Sequence, residues 1–281
     1  MDHATGYTRV FHQISLSASE TIRSKEHFEQ DLRKQSCIKV KAYHTNDGIF
    51  KSAKFNKHLH DQSQHITFSG VGAKHQNGVA EHAIKTITWS ASAMMIHTNL
   101  HWPEHFSIDL WPFAIDYAVW LHNYLPDHDL GLAPMELLIG LHLNCHQLRH
   151  CCVWGCPACV LDPTLQDGKK LPKWKPRSRT GQFLGFSDRH SSTIGLIRNL
   201  MTDYISPQYH VVFDKSFTTV SLQPSSPTLD MDQWDELFHF MRDNFLADHD
   251  AAFDCTVPPL VEEWLDDEDR AERLRNRADF V

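Results

Sequence analysis

Pro126 marks the change of pattern that most constrains this chain. Before it, strand-like and helix-like stretches alternate; from about residue 148 to 220 only short β-rich runs remain, broken by Asp-Gly, Pro and Asn turns. Strands alternating with helices imply an α/β layer, whereas closely spaced short strands imply a small barrel. At 281 residues the chain is long enough for both, each with its own core.

Residues 6–16 are β-branched and aromatic after a Thr-Gly turn and predict a strand. Ser19 is the expected N-cap of a helix reaching about Gln35, with Ile22, Phe28 and Leu32 at near-helical spacing. A second strand covers residues 38–44 and ends at the turn Asn46-Asp47-Gly48. A short helix over residues 53–61 and a strand over 65–69 follow. After Gly78 a helix places Val79, Ala83, Ile87, Ala91 and Met94 on one face, flanked by Ile84 and Met95. A further helix is expected over residues 104–124. The later strands are expected at 153–161, 180–186, 193–198 and 210–213, with a Ser/Pro linker at 221–228. Beyond it, amphipathic segments at 234–245 and 261–275 sit in a tail expected to be only partly ordered.

Charge divides the chain as sharply as pattern does. Residues 222–281 carry 16 Asp and Glu against 5 Arg, a net −11, which leaves 19 acids and 22 bases, or +3, for residues 1–221. A mildly basic body with an acidic appendage suits a body that faces nucleic acid. Neither a long apolar span nor a charged-then-apolar leader is found, so the chain is expected to be intracellular and not membrane-bound.

Five of the seven cysteines crowd into residues 145–159, among them Cys156-Pro-Ala-Cys159, with His146 and His150 nearby. That spacing allows a zinc reading. The alternative is an apolar buried strand in which cysteine acts as a small hydrophobe, and no second CxxC pair stands with the first.

Residues 74–87 read Lys-His-Gln-Asn-Gly-Val-Ala-Glu-His-Ala-Ile-Lys-Thr-Ile, a glycine turn opening a helix with Glu81 in its first turn. Residues 43–50 read Tyr-His-Thr-Asn-Asp-Gly-Ile-Phe, and residues 2–12 read Asp-His-Ala-Thr-Gly-Tyr-Thr-Arg-Val-Phe-His. Downstream stand Trp154-Gly-Cys-Pro-Ala, Lys173-Trp-Lys-Pro-Arg-Ser-Arg-Thr-Gly-Gln-Phe-Leu-Gly-Phe186 and His210-Val-Val-Phe-Asp214. In order and spacing these segments resemble the integrase portion of copia-type LTR retrotransposons, over nearly all of residues 2–220.

The resemblance implies an α/β fold with an RNase H-like mixed sheet and flanking helices over residues 1–145, its first strand missing. It implies a small SH3-like barrel over 148–221 and an acidic, partly ordered spacer over 222–281. The family joins DNA strands with Mg²⁺ or Mn²⁺ held by two Asp and one Glu, because two bridging metals need converging hard oxygen ligands. Here Glu81 and Asp47 are the implied metal and catalytic residues, with Asn46 beside them. The first Asp belongs to a strand expected before Asp2, and the second is displaced, since Asn46 stands where the family has Asp. Neighbours on an extended segment point to opposite faces, which aims Asp47 away from Glu81 unless the turn rotates it back.

For DNA contact the resemblance points to Lys85, one turn after Glu81, while His82 stands where the family has Arg or Lys. Lys169, Lys170, Lys173, Lys175, Arg177 and Arg179 surround Trp174 in a basic stretch suited to phosphates and stacking. A solvated loop is the alternative. The function expected is an integrase-derived fragment of the DNA-integration class that binds nucleic acid and does not catalyse strand transfer alone. Alternatives are a residual metal-dependent nuclease using Asp47 and Glu81, or an interaction protein acting through Trp234, Leu237, Phe238 and Phe245 of the tail. The family implies element ends and a target duplex as partners, a homo-oligomer, and the nucleus or a cytoplasmic virus-like particle as location.

Overall fold

The structure, a computed structural model, describes residues 1–46, 48–70, 74–128, 130–143, 145–166, 168–191 and 193–220, without the side chains of 74 and 75. The expected linker and amphipathic segments after residue 220 lie outside the described residues. The chain divides into two compact units, Met1–Asp127 with Leu132–Pro227, and His128–Gly131 with Thr228–Val281. All helices and strands named below belong to the first.

Helix α1 (Ala18–Ser36) starts at Ser17, whose hydroxyl accepts from Glu20 N–H, two residues before the expected cap. Its buried face carries Thr21, Lys25, Glu29 and Leu32, while Ile22 and Phe28 are only half-buried. The polar pair is buried as an ion pair centred on Glu29. Lys25 Nζ lies 2.9 Å from Glu29 Oε1, which also accepts from Tyr43 Oη at 2.5 Å and Gln64 Nε2 at 2.6 Å. Burial opposes the Glu29 charge, yet these bonds outweigh it and hold the carboxyl below its usual range.

Strand β1 (Ala42–Thr45) and strand β2 (His65–Phe68) pair in parallel through helix α2 (Ala53–Asp61), which Ser52 caps and which buries Phe55 and Leu59. Helix α3 (Gly78–His101) packs on helix α4 (Trp111–Tyr124). Its buried stripe is Ala83, Ile87, Ala91, Ser92, Met95, Thr98 and Asn99. Val79 and Ile84 are exposed instead, and Met94 is half-buried. The expected single helix at 104–124 breaks into 3₁₀ turns at Pro103–His105 and Ile108–Leu110 before α4, which Pro112 starts at its tolerated position. Helix α5 (Pro134–Ile139) was not expected.

Residues 6–16 form no strand. Tyr7 is buried with Leu32, Met135 and Leu138, but the backbone beside it is held by side chains, as described in the Discussion.

The C-terminal part of this unit is an antiparallel sheet of β3 (Pro157–Leu161), β4 (Ser178–Phe186), β5 (Gly195–Asn199), β6 (Ile205–Gln208) and β7 (Val211–Phe213), in the order β6-β5-β4-β3-β7. Among the described residues it is open, with β6 and β7 as edges, so no closed barrel is seen. Residues 153–156 make a turn, Cys156 N–H donating to the Val153 carbonyl, so β3 starts later than expected. Strand β6 went unread because it carries Pro207; it pairs only with β5, and proline is tolerated on such an edge. Phe183 and Trp154 are buried against the helices, each worth roughly 1.5–3 kcal/mol on transfer alone. Thr98 Oγ1 donates to the Trp154 carbonyl at 3.0 Å and Tyr117 Oη to that of Cys152 at 2.7 Å, tying α3 and α4 to the sheet.

Candidate nucleic-acid interface

The parallel pairing of β1 and β2 brings Thr45 beside Phe68, so their next residues also meet: Ser69 Oγ donates to Asn46 Oδ1 at 3.1 Å. One step on, Gly70 N–H donates to Gln76 Oε1 at 2.8 Å, linking the end of β2 to the turn that opens α3. The C-terminal ends of two parallel strands and a helix N-terminus thus share one edge, the usual place for a crevice in an α/β layer. Glu81 lies in the first turn of α3, half-buried.

This edge does not make a divalent-metal site from the described residues. Glu81 is its single charged ligand, Asn46 is neutral and already accepts from Ser69, and Asp47 lies outside the described residues. Among the described residues no three His, Cys, Asp or Glu side chains are grouped to hold a metal. A two-metal centre needs several converging carboxylates.

The Cys-rich segment follows the strand reading in part. Cys156 is fully buried, and burial pushes its thiol up to about 12. Cys159 lies within β3, half-buried.

Lys85 is exposed, and its ammonium sits 4.5 Å from the centre of the Trp89 ring one turn further along α3. Trp89 is 52% exposed. It was not read from the sequence, though a Trp four residues after a Lys on a helix is a recognisable cation–π spacing.

The second basic region joins helix α6 (Pro163–Gln166) to β4. Asp162 anchors the start of α6 by accepting from Thr164 N–H at 2.8 Å. Hydrogen bonds from Thr164 hold this carboxyl below its usual range, with Lys175 and Arg179 adding to the effect. Lys169, Lys170, Lys173, Lys175 and Arg177 are exposed. Trp174 is 90% exposed, with Lys173 Nζ 5.7 Å from its ring centre. Arg179 is half-buried and pairs with Val160, whereas Ser178 pairs with Leu161, so the two project from opposite faces of β4.

Beside this loop an open groove of about 500 Å³ runs over the sheet, lined by Cys159, Leu161, Ser178 and residues 209–212. Cys159 opposite Val212 and Leu161 opposite Ser178 make its floor. Tyr209, 68% exposed, stands at its far side.

No helix among the described residues is long and apolar enough to cross a membrane. No family model matches the sequence, and comparison with curated proteins finds no match. Among solved structures the chain is distantly similar to a simian T-cell lymphotropic virus intasome in complex with PP2A regulatory subunit B56 gamma. The identity is 14%, over 75% of this chain and 68% of that one, with a TM-score of 0.39, a likeness too remote to carry an argument.

Proposed function

We propose that this chain is a nucleic-acid-binding protein of the DNA-integration class, the integrase portion of a copia-type element. In this reading residues 1–145 are an RNase H-like layer, 148–221 an SH3-like unit and 222–281 an acidic spacer. It works inside the cell, on element ends and target DNA, in the nucleus or a virus-like particle, and assembles with copies of itself.

The observation that carries the binding reading is Trp174, 90% exposed between Lys173 and Lys175 in a loop with three further exposed cations. A bare indole ringed by positive charge gains little within the protein, but suits phosphates flanked by bases. The reading assigns binding; Asn46 stands where the family has its second Asp, and a two-metal centre asks for converging carboxylates.

The test is the affinity of the purified chain for a labelled DNA oligonucleotide at low salt. Lys173→Glu with Lys175→Glu should weaken it by about ten-fold or more, and unchanged affinity would refute the assignment of this loop.

A further inference from the structure

We infer that the ligand of this surface is nucleic acid with unpaired bases, a single-stranded segment that follows the basic loop around Trp174 onto the sheet groove beside Tyr209. The inference rests on the binding reading and names its substrate class. Three observations converge on it.

The first is the pair of exposed rings. Trp174 and Tyr209 are 90% and 68% exposed; Tyr209 lines the groove, and Trp174 stands in the basic loop four residues before Ser178, which also lines it. An intact duplex keeps its base faces stacked inside, so flat rings gain nothing from its flank; unpaired bases offer a π-face to each.

The second is the groove's width. Leu161 N–H donates to the His210 carbonyl on one side, and Asp162 N–H to that of Arg177 on the other. The Tyr209 side and the Ser178 side therefore flank a single strand, about 10 Å apart at two ladder spacings. That span suits an unstacked base over the apolar floor of Cys159, Leu161 and Val212.

The third is charge. The basic loop runs straight into Ser178 at the groove's edge, with Lys173, Lys175 and Arg177 exposed along the approach. Phosphates tracked by cations with bases laid on aromatic rings is the usual construction of a sequence-tolerant single-strand site.

Fluorescence anisotropy of the full chain with a labelled oligothymidine and a closed hairpin duplex of equal charge tests the inference. The oligothymidine should bind about ten-fold tighter, and Trp174→Ala and Tyr209→Ala should each remove roughly ten-fold of that affinity while weakening hairpin binding much less. Trp174→Phe should restore most of the loss. Equal affinity for the two probes, or variants that weaken both alike, would overturn the single-strand inference and leave the binding reading standing. Binding of neither probe at low salt would overturn both.

Discussion

Asn123 in α4 closes both polar groups of the Thr8 backbone with one side-chain amide. Thr8 N–H donates to Asn123 Oδ1 at 2.9 Å, and Asn123 Nδ2 donates to the Thr8 carbonyl at 2.7 Å. This imitates a sheet ladder with a side chain. Both residues are buried, so neither bond has water as a substitute.

Asn123→Leu keeps the volume but leaves the Thr8 N–H and carbonyl unpaired. Two buried orphan groups should cost about 2–5 kcal/mol, read as a lower urea midpoint at unchanged slope. A shift under about 0.5 kcal/mol would show that the pairing is not what holds residues 6–12 in place.

The same contact explains much of what the sequence concealed. Residues 6–16 have strand composition, but their partner is an amide more than a hundred positions away, which local pattern cannot reveal. Likewise α1 buries Lys25 and Glu29 where periodicity favours Ile22, because Tyr43 and Gln64 converge on Glu29 from other elements. What local chemistry decides was legible: α2 over Ala53–Asp61, α3 beginning at Gly78, and β2 from His65. At the candidate site the basic loop and Lys85 were legible as charge, whereas Trp89 and the Tyr209 groove depend on exposure and strand pairing.

Gly155 has φ +76°, and a Cβ there would stand 2.0 Å from Thr98 Oγ1, the atom that holds the Trp154 carbonyl. Gly155→Ala should destabilise by roughly 2–4 kcal/mol from left-handed strain and overpacking together. Adding Thr98→Ala should relieve the collision but not the strain, so the double variant should recover only part of the loss in urea denaturation.

His97 and His101 stack with ring centres 4.1 Å apart, both against Phe217, and His101 Nδ1–H donates to the His97 carbonyl at 2.8 Å. Burial, with the neighbouring His101 adding to it, lowers the His97 pKa below its ordinary 6.5. The folded chain thus binds this proton later than the unfolded chain as pH falls. Stability is full above 6.5 and declines below it. Urea midpoints should drop as pH falls below about 6.5, and His97→Phe should flatten that drop. An equal drop in the variant would assign it to other groups.

Glu81→Gln removes the one charged ligand described at the strand-end edge. Incubation of wild type and variant with labelled duplex and Mn²⁺ should give no cleavage by either, and the variant should lose only about 0.3–1 kcal/mol of stability from the helix N-terminus. Cleavage by the wild type that the variant lacks would instead establish a working metal site.

The most direct test of the account is the salt dependence of nucleic-acid binding with and without the loop lysines. Replacing Lys169, Lys170, Lys173 and Lys175 by Gln should weaken binding at low salt and reduce the slope of log affinity against log salt by about 3, near 0.7–0.9 per lost phosphate contact. An unchanged slope and affinity would contradict the account, because the charge would then be neutralising phosphates somewhere else.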